Sequence, residues 1–131
     1  MKKDRLLNPK ITSAVAALGH TEYLCIADCG LPIKKGVDVI DVSVSAGIPG
    51  FMDVLRAVNQ ELVIESFIVA SEIETKNGEL LEEIKTELGD LPVEMVPHEE
   101  FKKLTENAKC VIRTGETKSY ANVILVGGVN F

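Results

Sequence analysis

Apolar residues recur along this chain at two different spacings, separated by residues that interrupt regular backbone. Ile11, Ala14, Val15 and Leu18 fall three or four apart, the period of a helix with one buried face. Asn8 offers a side-chain oxygen to the N–H groups of the first turn, and Pro9 suits the first helical position. Gly19 predicts the stop, because glycine readily closes a helix, and His20 falls just past it. Phe51, Val54, Leu55 and Val58 repeat the helical spacing. So do Leu80, Leu81, Ile84 and Leu88, with Asn77 as the expected cap and Gly89 as the close. A further helix is expected over 98–106, with Phe101 and Leu104 on its apolar side.

Short apolar runs fill the intervals. Residues 23–27, 37–44, 62–70, 92–96, 110–112 and 122–126 read as strands. Asp28 sits at the far end of the first, followed by the loop Cys29-Gly30-Leu31-Pro32, and Ser45 to Gly50 forms a second loop. Strands alternating with helices predict an α/β class. The expectation is one domain over 1–131, with a central, mostly parallel or mixed sheet and helices packed on it in Rossmann-like layers. No repeat, linker or low-complexity segment interrupts it.

Composition sharpens this picture. Hydrophobic residues make up 46% of the chain, yet tryptophan is absent and aromatics are only 5%, so the core must be aliphatic. The formal charge of -6 repels phosphate backbones and argues against nucleic-acid partners. Lys2 to Arg5 are followed only by Leu6 and Leu7 before Asn8-Pro9, which is no signal-peptide core, and no apolar run approaches membrane-spanning length. Three cysteines, an odd number, fit reduced thiols, and the expected location is the cytoplasm.

The familiar nucleotide and hydrolase signatures are missing: there is no G-x-G-x-x-G, no phosphate-binding loop ending in G-K-[ST] and no G-x-S-x-G turn. The two histidines lie far apart, and Cys25 and Cys29 lack the companions of a zinc site, so no cofactor or metal is expected. Cys25 and Cys110 read as buried small hydrophobes. His20 is the natural proton carrier, since histidine alone titrates near neutrality without help; as an alternative it is a positive charge at a helix end. Asp28 either caps the turn after its strand or accepts hydrogen bonds from hydroxyl groups. His98 and Lys102 are four apart and share a helical face, solvated or functional. Tyr120 and Asn122 are two apart at a strand entry, which would point both to one side, as a turn and edge or as a polyol-binding pair.

In combination these residues resemble the D-ribose pyranase and fucose mutarotase family over essentially the whole chain. The resemblance rests on Leu18-Gly19-His20-Thr21, Ala27-Asp28-Cys29-Gly30-Leu31-Pro32, Gly47-Ile48-Pro49-Gly50-Phe51-Met52, His98-Glu99-Glu100-Phe101-Lys102, Val111-Ile112-Arg113-Thr114-Gly115-Glu116 and Tyr120-Ala121-Asn122, in that order. Each block alone is weak; the ordered set is specific. The Asp28-to-Pro32 form is similar to the ribose branch. The resemblance implies an isomerase that interconverts the pyranose and furanose rings of D-ribose without a cofactor. It implies His20 as the proton donor, and Asp28, His98, Tyr120 and Asn122 as sugar-binding, with Lys102 a weaker member. It also implies a homo-oligomer, two stacked pentamers forming a decamer, with sites between subunits. The rivals are a mutarotase for a related sugar such as fucose, a non-catalytic sugar-binding module and a thiol enzyme using Cys29.

Overall fold

Alternation along the strands builds a sheet with two unequal faces. In the computed structural model, which describes residues 1–131, the elements run α1 (Pro9–Ala17), β1 (Tyr23–Ala27), β2 (Val39–Asp41), α2 (Phe51–Asn59), β3 (Ile64–Ala70), α3 (Ile73–Lys76), α4 (Gly78–Leu88), β4 (Val93–Val96), α5 (His98–Thr105), β5 (Cys110–Arg113) and β6 (Val123–Gly127). Leu24, Ile26, Phe67, Val69, Ile112, Val123 and Leu125 face the larger core with α1, α2 and α4. The alternate residues Cys25, Ala27, Ile68, Val111, Ile124 and Val126 face a smaller core with Leu31 and Phe101 of α5. The α/β class and layered arrangement are as expected.

All six strands lie in one sheet of order β2-β5-β1-β6-β3-β4. β2, β5 and β1 are mutually parallel, as are β3 and β4. β6 runs antiparallel to both β1 and β3 and joins the two parallel groups. The sheet is therefore mixed, with five strands in one direction and one against them. Consequently the C-terminal ends of β1, β3, β4 and β5 and the entry to β6 all lie along the same edge. Parallel α/β sheets place ligands along such an edge.

Several boundaries differ from the sequence reading. α1 does open on Asn8, whose side chain accepts the N–H groups of Lys10 and Ile11 at 3.0 Å each. It ends at Ala17 with Leu18 as the cap, which leaves Gly19 at C′ as expected, though without the left-handed φ that such a glycine usually adopts. The Gly19 N–H is taken by the Glu22 carboxylate at 2.6 Å, and the left-handed turn falls on Thr21, whose N–H donates to the Gly127 carbonyl at 2.8 Å. β2 keeps only Val39–Asp41 of the expected 37–44, because Val44 leaves the sheet edge to donate to Ile48. β3 begins at Ile64, since Leu62 still donates to Val58 at the end of α2. Asn77 does not cap α4 with its side chain; it closes the unforeseen helix α3 and donates instead to the Ser119 carbonyl at 3.0 Å.

Candidate active site

Asp28 leaves β1 at the shared edge and is held from two sides. Its Oδ1 accepts the Gly30 N–H at 2.9 Å, so it does cap the following turn. Asn122, one residue ahead of β6, forms a reciprocal pair with it. The Asp28 N–H donates to Asn122 Oδ1, and Asn122 Nδ2 donates to Asp28 Oδ2, both at 2.9 Å. Because a backbone N–H fixes which atom is the oxygen, the carboxamide can face the carboxylate only with its NH2. Asn122 is 1% exposed, so its first task is to orient Asp28. Asp28 itself is half-buried, and its oxygens retain lone pairs for a hydroxyl donor.

Tyr120 is reached by a different geometry from the one expected. It precedes β6 in a turn, with φ of 56°, and the Asn122 N–H donates to its carbonyl at 2.9 Å. The expected same-side strand relation of Tyr120 and Asn122 therefore does not hold; a tight turn brings them together. Tyr120 packs against both cores and meets the His98 ring edge-on, at 5.1 Å between centroids and 85°. The His98 ring also lies near-parallel to Phe101, 6.3 Å away between centroids. His98 Nδ1 is buried without a partner, so Nε2 is the ring's open nitrogen. A contiguous polar shelf thus runs Asp28–Asn122–Tyr120–His98 along one sheet edge.

Lys102 lies one helical turn beyond His98 on α5, and its Nζ pairs with Glu99 at 2.7 Å. That partner holds the Glu99 carboxyl below its ordinary range. His20 is elsewhere. It sits ahead of β1, so the whole strand, roughly 17 Å at 3.3 Å per residue, separates it from Asp28. Its Nε2 lies 2.8 Å from Glu65 at the start of β3, with the imidazole 52% exposed. One chain therefore brings together four of the six residues, leaves Lys102 adjacent and puts His20 on the opposite edge. Cys29, between Asp28 and Gly30, is exposed, whereas Cys25 and Cys110 are buried as expected. Burial pushes the Cys110 thiol up to about 11, and Cys25 higher still, which leaves neither as a nucleophile.

Sequence reasoning missed three supporting residues. Thr114 is fully buried and donates to the Ala27 carbonyl at 2.8 Å, just ahead of Asp28. Glu116 accepts the Phe51 N–H at 3.2 Å, at the start of α2, and its carbonyl accepts the Cys29 N–H at 2.9 Å. Glu72 accepts the His98 N–H on both carboxylate oxygens, at 3.0 and 3.1 Å. All three lie far in sequence from the groups they hold. The block Arg113-Thr114-Gly115-Glu116 was visible as a motif, but its partners were not.

The model of the RbsD / FucU transport protein family matches residues 1–130. The chain belongs to that family. It is 50% identical over its full length to a D-ribose pyranase of Geobacillus thermodenitrificans, covering 99% of that protein. It is 51% identical to a D-ribose pyranase of Bacillus cytotoxicus, with both chains covered completely. The structure of Bacillus subtilis RbsD complexed with D-ribose superposes over 100% of both chains with a TM-score of 0.97 at 44% identity. A fucose mutarotase from Streptococcus pneumoniae, solved with L-fucose, shares the fold at a TM-score of 0.76 and 21% identity, over 95% of this chain and 94% of that one. As an RbsD / FucU member the chain has the mixed sheet of these neighbours, and its polar shelf occupies the edge where the direction of β6 reverses.

Proposed function

We propose that the chain is a D-ribose pyranase, an isomerase that converts the pyranose form of D-ribose into the furanose form and back. The observation that carries the reading is identity of about half the residues, end to end, with D-ribose pyranases. The shelf supplies suitable chemistry. A carboxylate, a phenol and an imidazole along one edge bind a ring rich in hydroxyls, with the carboxamide of Asn122 keeping Asp28 in place.

Ring-size change runs through the open aldehyde. The bond between ring oxygen and anomeric carbon breaks, the ring oxygen takes a proton and the anomeric hydroxyl loses one. The chain rotates, a neighbouring hydroxyl attacks the aldehyde carbon and gives up its proton, and the carbonyl oxygen regains one. No net proton, electron or group is transferred, so acid–base help and orientation suffice. His20 is the proton donor in this reading, with water carrying the compensating proton. It cannot serve the shelf of its own chain across the length of β1, so a second copy delivers it. A ring-shaped homo-oligomer, two stacked pentamers, satisfies that need at every shelf. No helix of the chain is long and apolar enough to cross a membrane. A cytoplasmic, single-domain enzyme supplying the ring form that a sugar kinase accepts fits the reaction.

Saturation-transfer NMR on equilibrated D-ribose tests the reading directly. Catalytic amounts of protein are expected to speed pyranose–furanose exchange well above the background rate. Broadening of one form without faster exchange would identify a binding module instead. Exchange of L-fucose anomers with none for ribose would identify a mutarotase.

A further inference from the structure

We propose that Glu72 is a positioning residue for His98, acting through the helix start rather than on the sugar. The inference rests on the D-ribose reading for its kinetic half only. α5 begins at His98, and its first N–H groups have no partner inside the helix. The cap position is Pro97, which has no side-chain acceptor to offer. Glu72, at the exit of β3, fills the gap by straddling the His98 N–H with both carboxylate oxygens, at 3.0 and 3.1 Å. An anion there also meets the positive end of the helix.

Glu72 is itself anchored. Ser71 donates its hydroxyl to Glu72 Oε1 at 3.1 Å, and its backbone N–H to the Val96 carbonyl at 2.7 Å. The exit of β3 and the junction of β4 with α5 are thus tied by bonds in opposite directions. Burial raises the Glu72 acid, but its own backbone N–H, that of His98 and the Ser71 hydroxyl outweigh this and hold it below the ordinary carboxylate range. The anchor stays ionised through neutral pH.

What the anchor fixes is a ring with little freedom left. His98 packs against Tyr120 at a right angle and lies near-parallel to Phe101, with Nδ1 sealed off and Nε2 open. A shift of the first turn of α5 moves Nε2 relative to the Asp28 carboxylate, and two fixed points on a small sugar tolerate little such shift. Glu72 thereby sets the spacing between the histidine and aspartate ends of the shelf.

The test compares Glu72→Ala and Glu72→Gln in the full assembled protein. Steady-state exchange kinetics are read together with the imidazole ¹⁵N and ¹³C resonances of the two histidines. Glu72→Ala is expected to raise KM for ribose roughly fivefold to twentyfold with kcat changed less, the signature of weakened ground-state positioning. The His98 ring signals should move and those of His20 stay. Glu72→Gln keeps an acceptor and is expected to recover most of KM and of the His98 signal. Unmoved His98 resonances in Glu72→Ala, or a loss that only tracks the folded fraction, would overturn the proposal; should Glu72→Ala fail to fold, a folded Glu72→Gln protein whose KM is raised roughly fivefold or more over the parent would do the same. If the parent protein fails to exchange ribose, the D-ribose reading falls, while the resonance comparison still decides whether Glu72 holds His98.

Discussion

His20 and Asp28 make separable demands on the reaction, and their surroundings explain why. His20 is exposed and its one side-chain polar partner is Glu65, a pairing worth at most about 1 kcal/mol at such a site. His20→Ala is therefore expected to leave folding within that margin while lowering the exchange rate by about 10² or more, the usual share of acid–base help. A variant that folds, assembles and exchanges ribose at the parent rate would end the assignment. Asp28→Asn should behave differently. It removes the charge that Asn122 Nδ2 and the Gly30 N–H converge on, so sugar binding should weaken more than the bound sugar slows. Titrating ribose against each variant separates the two outcomes. The grouping was legible only through the family resemblance: Asp28, His98, Tyr120 and Asn122 do lie along one edge, with Asn122 turned inward onto Asp28. The reasons for it were not legible. Tyr120 and Asn122 meet through a turn at positive φ, which alternation along a strand could not forecast. Glu72 carries no local mark at all, because its partner is a backbone group 26 residues away.

At the level of elements, the loop between β2 and α2 and the segment after β5 are locked together through backbone contacts. Gly47 donates to the Gly115 carbonyl at 2.6 Å, and Gly115 donates to the Pro49 carbonyl at 2.9 Å. A Cβ at Gly115 would run into the Ile48 carbonyl and stand 2.6 Å from the Ser45 carbonyl oxygen. Backbone cannot step aside as a side chain can. Gly115→Ala is thus expected to cost about 1–3 kcal/mol, the range for overpacking a tight interior site, and to loosen Glu116 from the start of α2. Thermal denaturation should register it as a clear fall in Tm; an unchanged Tm would mean that the loop yields freely. Helical periodicity found α1, α2, α4 and α5 because each has one apolar stripe. It missed the short α3, and it overran β2, whose edge position leaves only Ile40 buried. Strand ends are set by who bonds to whom across the sheet, which the run of apolar letters does not contain.

For the molecule as a whole, the decisive fact is that His20 and the shelf lie at opposite ends of β1. If sites form between copies, each impaired variant holds the half that the other lacks, and at ribose well below the weakened KM neither turns over appreciably alone. Co-expressed His20→Ala and Asp28→Asn chains should regain roughly a quarter of parental activity, since random pairing joins an intact histidine to an intact shelf at that frequency in a cyclic arrangement. Separately purified proteins mixed without exchange of subunits should not. No recovery after co-assembly would place the whole site within one chain. The α/β layering was readable from the alternation of element types, whereas strand order was not. Nothing in the letters of β6 distinguishes it from the parallel strands, and the reversal emerges only from packing between β1 and β3.

That reversed strand also governs how the chain acquires its activity. The two parallel groups, β2-β5-β1 and β3-β4, have no contact as sheets except through β6, the last strand in chain order. A growing or shortened polypeptide that stops before Val123 holds two unjoined ribbons, one of three strands and one of two, each with open edges of the kind that promote aggregation. Insertion of β6 closes the gap and in the same step carries Asn122 to Asp28 and Tyr120 to His98. A chain cut before Val123 is therefore expected to lose the shelf together with the sheet, because the strand that joins the two ribbons is also the one that seats Asn122 and Tyr120.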